Sequence, residues 1–467
     1  MSRVLIDDGP FDFTVPVAIV GGGAAGLCAA LAAKEAGIDA VVFERDALPQ
    51  GSTALSAGLV PAPGTRAQKA AGIADSIELF TSDIQAKAHG EADPVVLKSV
   101  TEGAAPAIDW LSERHGLAFT VVADFSYPGH SARRMHGLVS RSGAELIDRL
   151  RAAVEAAGID IVTGAHVTAL VAAPDGAVRG LVVTRPDGAT ERIGCGALVL
   201  ACNGYGGNRA LVAEHIPALK DALYFGHPGN QGDAVLWGAA LGAELRHMSG
   251  HQGHGSVAHP HGILITWATM TEGGFQVNAS GERFWNEASG YSEAALAVLG
   301  QPGGIAFDIF DARIAGIARQ FEDFRRAEAA GAVVEAESSD ELARRLSISS
   351  QVIRATLESV ADLKRRGGID LSGRDWSGVP QLEPPYRAVK VTGALFHTQG
   401  GLAVDGCARV LKAGGEPLPN LFAAGGAAVG VSGPDASGYL SGNGLLTAVV
   451  LGRIAGGEAA RLTLAAR

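Results

Sequence analysis

The stretch VAIVGGGAAG, residues Val17–Gly26, decides the fold of this chain. Its first four residues form a continuous apolar run, which is typical of a buried parallel strand. Gly21, Gly23 and Gly26 then give GxGxxG spacing. The first glycine allows a tight turn, the second lets a pyrophosphate approach the backbone, and the third lets a helix pack closely on the strand. The stretch therefore predicts a strand–loop–helix unit that binds a dinucleotide.

The residues after this loop complete the dinucleotide-binding pattern. Leu27–Ala36 is predicted to be a helix whose N-terminal N–H groups face the phosphates, and Gly37 ends it. Ala40–Phe43 is predicted to be the second strand. Glu44 at its tip is placed to accept hydrogen bonds from the adenosine ribose hydroxyls. A glycine-rich turn without a ligand is the alternative, and the full set of strand, loop, helix, strand and acid argues against it.

Small residues next distinguish FAD from NAD. Gly51–Gly58 contains no bulky side chain that would block a flat ring, so a flavin ring fits there. Further strands are predicted at Gly164–Leu170, in a hairpin that starts with Ala177–Thr184, and at Ala197–Leu200.

Composition argues against several classes of function. The 467 residues carry a formal net charge of −11 without a block of Lys and Arg, which argues against nucleic acid or an anionic membrane surface as the main partner. No charge-free apolar run approaches the roughly twenty residues of a membrane span. Three aspartates among the first fifteen residues break any signal-peptide core. The cysteines Cys28, Cys195, Cys202 and Cys407 show no zinc, haem or disulfide spacing. We therefore expect a cytoplasmic protein without a metal.

A second glycine-rich region lies near the far end of the chain. Leu421–Gly426 is followed by Ser437–Leu445 and by a run of helix formers. A chain that returns in this way to its first loop usually holds a flavin. Asn443 and Gly444 are predicted to open the last helix, whose N-terminus would face the flavin pyrimidine and stabilise negative charge on the reduced ring. Helix capping alone is the alternative role for these two residues.

Several motifs in order now resemble one flavoprotein family. They are CNGYGGN at 202–208, NQGDA at 230–234, VNASGERFWNE at 277–287, HTQGGL at 397–402 and the C-terminal tail. Over nearly the whole chain this arrangement resembles the soluble fumarate reductases and 3-ketosteroid dehydrogenases. The resemblance implies an α/β fold with a discontinuous, Rossmann-like FAD-binding domain, at about 1–215 and 375–467. An inserted α+β capping and catalytic domain, 216–374, would cover the flavin and carry substrate residues. Within it, 327–372 is predicted to form amphipathic helices.

The same resemblance implies which residues bind the cofactor. Gly51–Gly58 contains no histidine that could form a covalent flavin bond, so we expect dissociable FAD. His397 matches a family position beside the flavin. The residues expected to bind FAD are Gly21, Gly23, Ala24, Ala25, Gly26, Glu44, Arg45, Ser52, Thr53, Ala57, Gly58, Val167, Ala201, Asn203, Gly204, Asp233, His397, Gly425, Asn443, Gly444, Leu445 and Leu446.

Two departures from the family bear on the substrate. Fumarate reductases grip a dicarboxylate with arginines, because a guanidinium matches a carboxylate in bidentate geometry. At the two matching positions this chain has Tyr291 and Tyr439. A carboxylate would meet no cation at either point, which disfavours fumarate, succinate and aspartate.

Two tyrosines and a serine in these places look most like 3-ketosteroid Δ4-dehydrogenases. The implied reaction removes two hydrogens from the carbons α and β to a ketone, with hydride transfer to flavin N5. We predict Tyr439 as the base at Cα, Tyr291 as its partner in proton relay, and Ser441 with the Gly442 N–H as groups that polarise the ketone. A tyrosine pKa near ~10 requires that the site stabilise the phenolate or pass its proton onward. Packing roles for the tyrosines, and a hydrogen bond from Ser441 to its own loop, are the alternatives.

Aromatic and histidine residues complete the prediction. Phe396, in place of a second histidine before His397, is predicted to make the substrate pocket more apolar. Five histidines at 247, 251, 254, 259 and 261 lack any metal-ligand spacing, so lining of a substrate pocket or a solvated loop is favoured over a metal site.

Three functions remain in view at this point. The favoured one is dehydrogenation of a 3-ketosteroid or a smaller cyclohexanone, with an electron acceptor that the sequence does not identify. The same site run backwards would be an enone or enoate reductase, and a flavin-binding protein without turnover is the third.

Overall fold

The computed structural model describes residues 3–7, 9–123 and 127–466. The chain forms two compact units, of which the first comprises Met1–Pro217, Gly226–His251 and His397–Arg467 and the second comprises Ala218–Phe225 and Gln252–Phe396.

Two segments fall outside the predicted division at 215 and 375. Residues 226–251 belong to the first compact unit, because the Trp237 side chain of this segment is buried in the apolar core of that unit. Residues 375–396 belong to the second unit, because most of the long strand Tyr386–Thr398 pairs within its sheet. The functional division at 215 and 375 stays a prediction.

Most strands belong to two large sheets. In chain order the strands are β1 Arg3–Ile6, β2 Phe13–Val20, β3 Ala40–Phe43, β4 Val60–Pro61, β5 Thr120–Val121, β6 Met135–Gly137, β7 Asp160–Val162, β8 His166–Ala172, β9 Val178–Thr184, β10 Thr190–Leu200, β11 Leu223–Tyr224, β12 Leu245–Arg246, β13 His251–Ala258, β14 Ile263–Leu264, β15 Phe275–Val277, β16 Ile305–Asp311, β17 Val333–Ala336, β18 Tyr386–Thr398, β19 Gly401–Leu402, β20 Arg409–Leu411 and β21 Pro417–Ala423.

The helices flank these sheets. They are α1 Ala24–Glu35, α2 Gly51–Ala54, α3 Arg66–Ala70, α4 Ile77–Lys87, α5 Pro94–His115, α6 Gly143–Ala156, α7 Arg209–His215, α8 Asp233–Ala240, α9 Ala268–Thr271, α10 Tyr291–Leu299, α11 Ala312–Ala318, α12 Glu322–Ala329, α13 Ser339–Leu346, α14 Ser350–Arg366 and α15 Asn443–Ala465. Within the described ranges, none is both long enough and apolar enough to cross a bilayer.

The first unit is built on a sheet with a parallel centre. Its parallel strands run in the order β21, β10, β2, β3 and β7, and β8 and β9 extend it in antiparallel fashion beside β10. In register, Val17 faces Ala40 and Val20 faces Phe43. All four residues of the apolar run at 17–20 are buried, as a strand covered on both faces requires. The parallel Rossmann-like centre predicted for this unit is present.

Helices α1 and α15 lie side by side in the first unit. A Cβ at Gly452 would collide with the Ala25 carbonyl, and a Cβ at Gly456 would collide with the Ala29 carbonyl. Because both contacts advance by four residues, the two helices run parallel, and the missing Cβ atoms let their backbones touch.

The second unit is built on a mixed seven-stranded sheet. Its strands follow the order β14, β13, β18, β16 and β15, and β11 and β17 also pair with β18. The predicted helical segment 327–372 contains α13 and α14, but β17 interrupts it at Val333–Ala336. That strand pairs with β18 opposite Tyr386–Val389, a partner more than fifty residues away that no local pattern reveals.

Candidate active site

The glycine-rich loop leads directly into α1. A Cβ at Gly26 would collide with the carbonyl oxygen of Gly21, so α1 can lie this close to the loop only with glycine at position 26. At Gly23 the surroundings differ, because a Cβ there would meet only the Thr53 hydroxyl oxygen, at 3.5 Å, among the described atoms. That oxygen accepts a hydrogen bond from the Ala24 N–H over 3.1 Å. The backbone at Gly23 is therefore open to a phosphate.

Glu44 closes the loop from the tip of β3. One carboxylate oxygen accepts from the Gly22 N–H at 2.7 Å, and the other accepts from the Asp46 N–H at 2.9 Å. Each oxygen keeps a further lone pair, so the group can still accept from ribose hydroxyls. The neighbouring Arg45 donates to the carbonyl oxygen of Gly229 over 2.8 Å and thereby holds the 226–251 segment against this loop.

All residues predicted to bind FAD lie in the first unit. They occupy the first loop and α1 (Gly21, Gly23, Ala24, Ala25, Gly26), the end of β3 (Glu44, Arg45), α2 and the turn after it (Ser52, Thr53, Ala57, Gly58), β8 (Val167), the turn after β10 (Ala201, Asn203, Gly204), the start of α8 (Asp233), β18 (His397), a 3₁₀ turn (Gly425) and the start of α15 (Asn443, Gly444, Leu445, Leu446).

The two helix N-termini suit an elongated dinucleotide. Neither α1 nor α15 has an N-cap side chain that bonds its first turn within the described chain. The Ala24 N–H already donates to Thr53 and the Asn443 N–H to the Leu440 carbonyl, so it is the positive end of each helix dipole that favours an anionic ligand. Asn443 precedes Gly452 by nine residues, and Gly452 lies against Ala25. The start of α15 is therefore about 12 Å ahead of the start of α1 along their common direction. A phosphate group at one terminus and a flavin ring at the other would match this offset, so the residues present fit FAD.

Three predicted catalytic residues share the loop before α15. The Tyr439 side chain is buried, and burial raises the pKa of its hydroxyl to about 12. The backbone N–H groups of Gly444 and Gly442 act in the opposite direction and lower that pKa by less. Ser441 is buried as well, and Gly442 turns the chain into α15 with a φ of +87°. The loop therefore holds a protonated phenol next to two N–H donors.

A buried ion cluster braces this loop. His130 donates from Nε2 to the carbonyl oxygen of Ser441 at 3.0 Å, and its Nδ1 lies 3.3 Å from Arg134 Nη1. A guanidinium can only donate, so this Nδ1 must accept. Arg134 is fully buried between Asp75, at 2.9 Å, and Asp83. Burial and the arginine lower the pKa of His130 to about 4. His130 is thus a neutral residue that links the loop to the ion cluster, and no motif in the sequence indicates this role.

His397 faces the first turn of α15. A Cβ at Gly444 would lie 3.6 Å from the Tyr439 hydroxyl oxygen and 4.0 Å from His397 Nε2. The His397 Nδ1 lies 2.8 Å from the side-chain nitrogen of Gln399. Burial lowers the pKa of His397 to about 4, so the imidazole is neutral. The structure thus places Tyr439 and His397 around one glycine of the cofactor-binding helix.

The other two predicted site residues, Tyr291 and Phe396, lie in the second unit. Their rings enclose His254: Tyr291 stacks on it at 5.0 Å and Phe396 at 5.1 Å between ring centroids. Phe225 continues the stack on Phe396 at 4.6 Å, and Trp267 meets His254 edge-on at 5.8 Å. We call these five residues the aromatic stack.

His254 was not singled out within its histidine cluster. The cluster divides, with His251 and His254 buried and His259 and His261 exposed. Complete burial lowers the pKa of His254 to about 3. Alternation along β13 could not have indicated which histidines are buried, because 251 and 254 differ in parity and point to opposite faces of the strand, yet both are buried. Among the described residues, no His, Cys, Asp and Glu group could hold a metal ion.

A polar network supports the aromatic stack from below. The Ser256 N–H donates to His254 Nδ1 over 3.1 Å, and the Ser256 hydroxyl donates to Asp308. Gln276 donates to the other oxygen of Asp308 at 2.8 Å. Burial raises the pKa of Asp308 to about 7. The orientation of His254 is thus set by a backbone donor that is itself anchored to a buried carboxyl group.

The motif at 277–287 joins this network. Glu287, fully buried, accepts from the Gln276 N–H at 3.0 Å and forms ion pairs with Arg283 at 2.7 Å and Arg374 at 2.9 Å. Tyr291 starts α10 four residues later. Arg283 and Arg374 are therefore both paired with a buried carboxylate.

Comparisons with known proteins agree with this architecture. The family model described as FAD binding domain matches residues 16–445. A probable fumarate reductase of Shewanella frigidimarina is 32% identical over 451 residues, which cover 97% of this chain and 76% of the relative. The open conformation of a flavocytochrome c3 fumarate reductase superposes with a TM-score of 0.82 at 31% identity, over 98% of this chain and 79% of that one.

A second kind of enzyme has the same fold. The 3-ketosteroid-Δ4-(5α)-dehydrogenase of Rhodococcus jostii RHA1, in complex with 4-androstene-3,17-dione, superposes with a TM-score of 0.76 at 25% identity. The match covers 98% of this chain and 99% of that one. The predicted cofactor and the predicted family resemblance are both confirmed. The chain belongs to the FAD binding domain family and is an FAD-dependent oxidoreductase of the group that contains fumarate reductases and 3-ketosteroid dehydrogenases.

Proposed function

We propose that this flavoenzyme dehydrogenates the α,β carbon pair of a cyclic ketone, either a 3-ketosteroid or a smaller cyclohexanone. The observation that carries the proposal is the neutrality of Tyr439 and of two histidines that lie beside predicted catalytic residues, His397 beside Tyr439 and His254 beside Tyr291. Tyr439 has its pKa raised to about 12, while His397 and His254 have theirs lowered to about 4 and about 3. At neutral pH none of them carries a charge.

Neutral groups favour an uncharged substrate. Burying a carboxylate without a cation costs several kcal/mol or more, whereas a ketone oxygen needs only hydrogen-bond donors. The buried arginines of the described chain are already paired with carboxylates: Arg134 with Asp75 and Asp83, Arg374 with Glu287, and Arg387 with Glu335. Tyr291 and Tyr439 stand where relatives that reduce dicarboxylates would hold arginines. This argues for a ketone against fumarate or succinate.

The proposed chemistry starts with removal of a proton from Cα. Tyr439 accepts this proton as phenolate and Tyr291 passes it onward. The raised pKa of Tyr439 means that only a small fraction is phenolate at neutral pH, and the N–H groups of Gly442 and Gly444 offset part of the effect of burial. Ser441 and the Gly442 N–H polarise the ketone, so that its oxygen carries the developing enolate charge.

Acceptance of the hydride from Cβ is the chemistry that FAD supplies when bound. In total, one proton passes to Tyr439 and one hydride to the cofactor. The product keeps a carbon–carbon double bond conjugated with the ketone. His130 holds the loop backbone at Ser441 during this step, because it lies between that carbonyl and the fully buried ion pair of Arg134 with Asp75.

A reductase that runs the same site backwards is the second candidate. The 32% identical relative is named a probable fumarate reductase, which favours the reductive direction for the family. The two directions differ in which substrate changes the flavin spectrum, so one set of measurements separates them.

The test is anaerobic photometry of the FAD-bound enzyme. A panel of 3-ketosteroids and substituted cyclohexanones should bleach the oxidised flavin, and succinate should not. Bleaching by no ketone would contradict the dehydrogenase, and bleaching by succinate would contradict the neutral substrate. Reoxidation of the reduced enzyme by an enone alone would assign the reductive direction, and no response to any compound would leave a flavin-binding protein without turnover.

A further inference from the structure

Four buried polar side chains form a hydrogen-bonded chain in the first unit. The side-chain nitrogen of Asn443 donates to the Ser432 hydroxyl oxygen at 3.1 Å, and that hydroxyl donates to the Gln399 side-chain oxygen at 2.9 Å. The Gln399 side-chain nitrogen then donates to His397 Nδ1 at 2.8 Å. Asn443, Ser432 and Gln399 are at most 3% exposed. We call these four residues the amide relay.

The hydrogen-bond directions in the amide relay depend on one another. A serine hydroxyl has one proton, so if it donates to Gln399 it must accept from Asn443. If the Gln399 nitrogen donates to His397, the Nδ1 of that neutral imidazole carries no proton and its Nε2 must carry it. Turning either amide over would require every bond of the relay to reverse. The relay therefore has two internally consistent states, which differ in the tautomer of His397.

One end of the amide relay is open. The side-chain oxygen of Asn443 is buried and has no hydrogen-bond partner among the described residues. A buried acceptor without a donor costs on the order of 1–3 kcal/mol, so a partner from outside the chain is expected. Asn443 is the first residue of α15, the helix whose start lies about 12 Å ahead of α1 and thus ahead of the phosphate loop. The flavin pyrimidine carries both an N–H and carbonyl groups that could meet it.

We propose that the Asn443 side-chain oxygen accepts a hydrogen bond from the pyrimidine N–H of the bound flavin, and that Ser432 and Gln399 transmit this bond as a fixed Nε2–H tautomer of His397. Ser432 and Gln399 are positioning residues, since they act through His397. The consequence lies at Gly444, where His397 Nε2 and the Tyr439 hydroxyl face the same backbone. With this tautomer, His397 presents a donor there, and with the other tautomer it would present an acceptor.

The reversed state of the amide relay would give the other tautomer of His397. A flavin carbonyl at Asn443 would require the amide nitrogen to face it, Ser432 to donate to Asn443, Gln399 to donate to Ser432, and His397 to donate from Nδ1. The identity of one flavin group would thus decide the tautomer three side chains away.

The test uses ¹⁵N-histidine-labelled, FAD-bound enzyme and records the imidazole nitrogen resonances by NMR. The His397 signals are assigned from their loss in His397→Gln. We expect the Nε2–H tautomer in the wild type from pH 6 to 8. An Nδ1–H tautomer would overturn the proposal. Removal of FAD should allow both tautomers to appear, and an unchanged tautomer population would overturn the coupling to the flavin.

A variant pair tests the transmission. Gln399→Glu replaces the amide donor by a carboxylate, which can only accept a hydrogen bond from Nδ1. The His397 signals should then show the Nδ1–H tautomer, or show that the protonated imidazolium persists to higher pH. Ser432→Ala cuts the relay in the middle and should give both tautomers in the FAD-bound enzyme. Ser432→Ala also tests the transmission if Gln399→Glu does not fold.

Ser437→Ala is the matched control, because this exposed hydroxyl contacts only His89 among the described residues outside the relay. It should leave the His397 signals unchanged. Unchanged His397 signals in both relay variants would show that the relay does not set the tautomer. These readouts do not depend on the substrate, so the amide relay and the proposed ketone dehydrogenase can fail separately.

Discussion

His254 and His397 are both buried, neutral imidazoles that accept a hydrogen bond at Nδ1, yet their donors differ in kind. His254 accepts from the backbone N–H of Ser256, and His397 accepts from the side-chain amide of Gln399. A backbone N–H can only donate, so the proton of neutral His254 is always on Nε2. A side-chain amide can turn over, so the proton of His397 depends on what lies beyond Gln399. The comparison separates a tautomer set by the fold from one that a ligand can set.

The two regions around these histidines also hold the two predicted tyrosines. The loop before α15 carries Tyr439 against backbone N–H groups, whereas the aromatic stack holds Tyr291 against a ring. Backbone donors can stabilise a phenolate, and a neutral ring offers much less. We therefore expect the loop to carry the larger share of the chemistry.

The largest expected effect is that of Tyr439→Phe. If the phenolate is the base, its loss should lower kcat for ketone dehydrogenation by about 10³-fold, within the usual range for a general base. In the wild type, kcat/KM should rise about tenfold per pH unit at neutral pH, because the pKa of Tyr439 is about 12. Stopped-flow flavin reduction measures both. Near wild-type turnover in the variant would remove Tyr439 from the base role, and Tyr386→Phe is a matched control.

Acid should destabilise both regions. The pKa values of His130 and His397 are lowered to about 4 and that of His254 to about 3, below the unfolded value of about 6.5. Between these values the unfolded chain binds more protons than the folded chain, so stability falls as pH decreases. Each histidine should cost on the order of 3 kcal/mol by pH 4. Urea unfolding of the FAD-bound enzyme at pH 7.5, 5.5 and 4.5 measures the loss. A midpoint that does not move would contradict the buried neutral state.

Asp308 beneath the aromatic stack should show the opposite dependence. Burial raises its pKa from 3.8 to about 7, so the folded chain holds this proton longer and the stability it supports is lost as pH rises through 7. Asp308→Asn keeps hydrogen-bonding capacity toward Ser256 and Gln276 without the charge. We expect the variant to be more stable than the wild type at pH 8.5, by up to about 4 kcal/mol, and by less than half as much at pH 5, because the unfolded carboxyl ionises above pH 3.8. Equal stability at both values of pH would mean that Asp308 titrates normally.

The smallest effect is expected for Tyr291→Phe. The phenyl ring preserves stacking on His254, and only the relay hydroxyl is lost. We expect kcat to fall about tenfold with little change in KM, since the group acts after the first proton transfer. A loss of kcat as large as that of Tyr439→Phe would contradict the expectation that the loop before α15 carries the larger share of the chemistry. A change in KM alone would make Tyr291 a binding residue.

Local sequence patterns sufficed where the structure depends on local geometry. The strand ending at Val20, the glycine turn and the helix after it follow from spacing, and the last helix starts at Asn443 as predicted. The position of Glu44 at the tip of β3 follows from the same strand–loop–helix–strand pattern. These features need only neighbours within about thirty residues, which a single sequence displays.

Long-range contacts explain what the sequence did not reveal. Gln399 lies in a quoted motif, but its hydrogen bond to Ser432 joins positions thirty-three residues apart. His130 reaches the Ser441 carbonyl across more than three hundred residues. His254 lies beside two predicted site residues only because the fold brings it between Tyr291 and Phe396. None of these contacts produces a periodicity or a spacing.

The contact of α1 with α15 has a consequence for synthesis. Gly452 and Gly456 must reach Ala25 and Ala29 before the two helix N-termini stand in their final offset. On the ribosome, the first loop emerges more than four hundred residues before its partner helix, and domains generally fold as units from the N-terminus. The nascent chain therefore lacks the second half of its FAD site until α15 has been made. Cofactor capture is coupled to the synthesis of that helix.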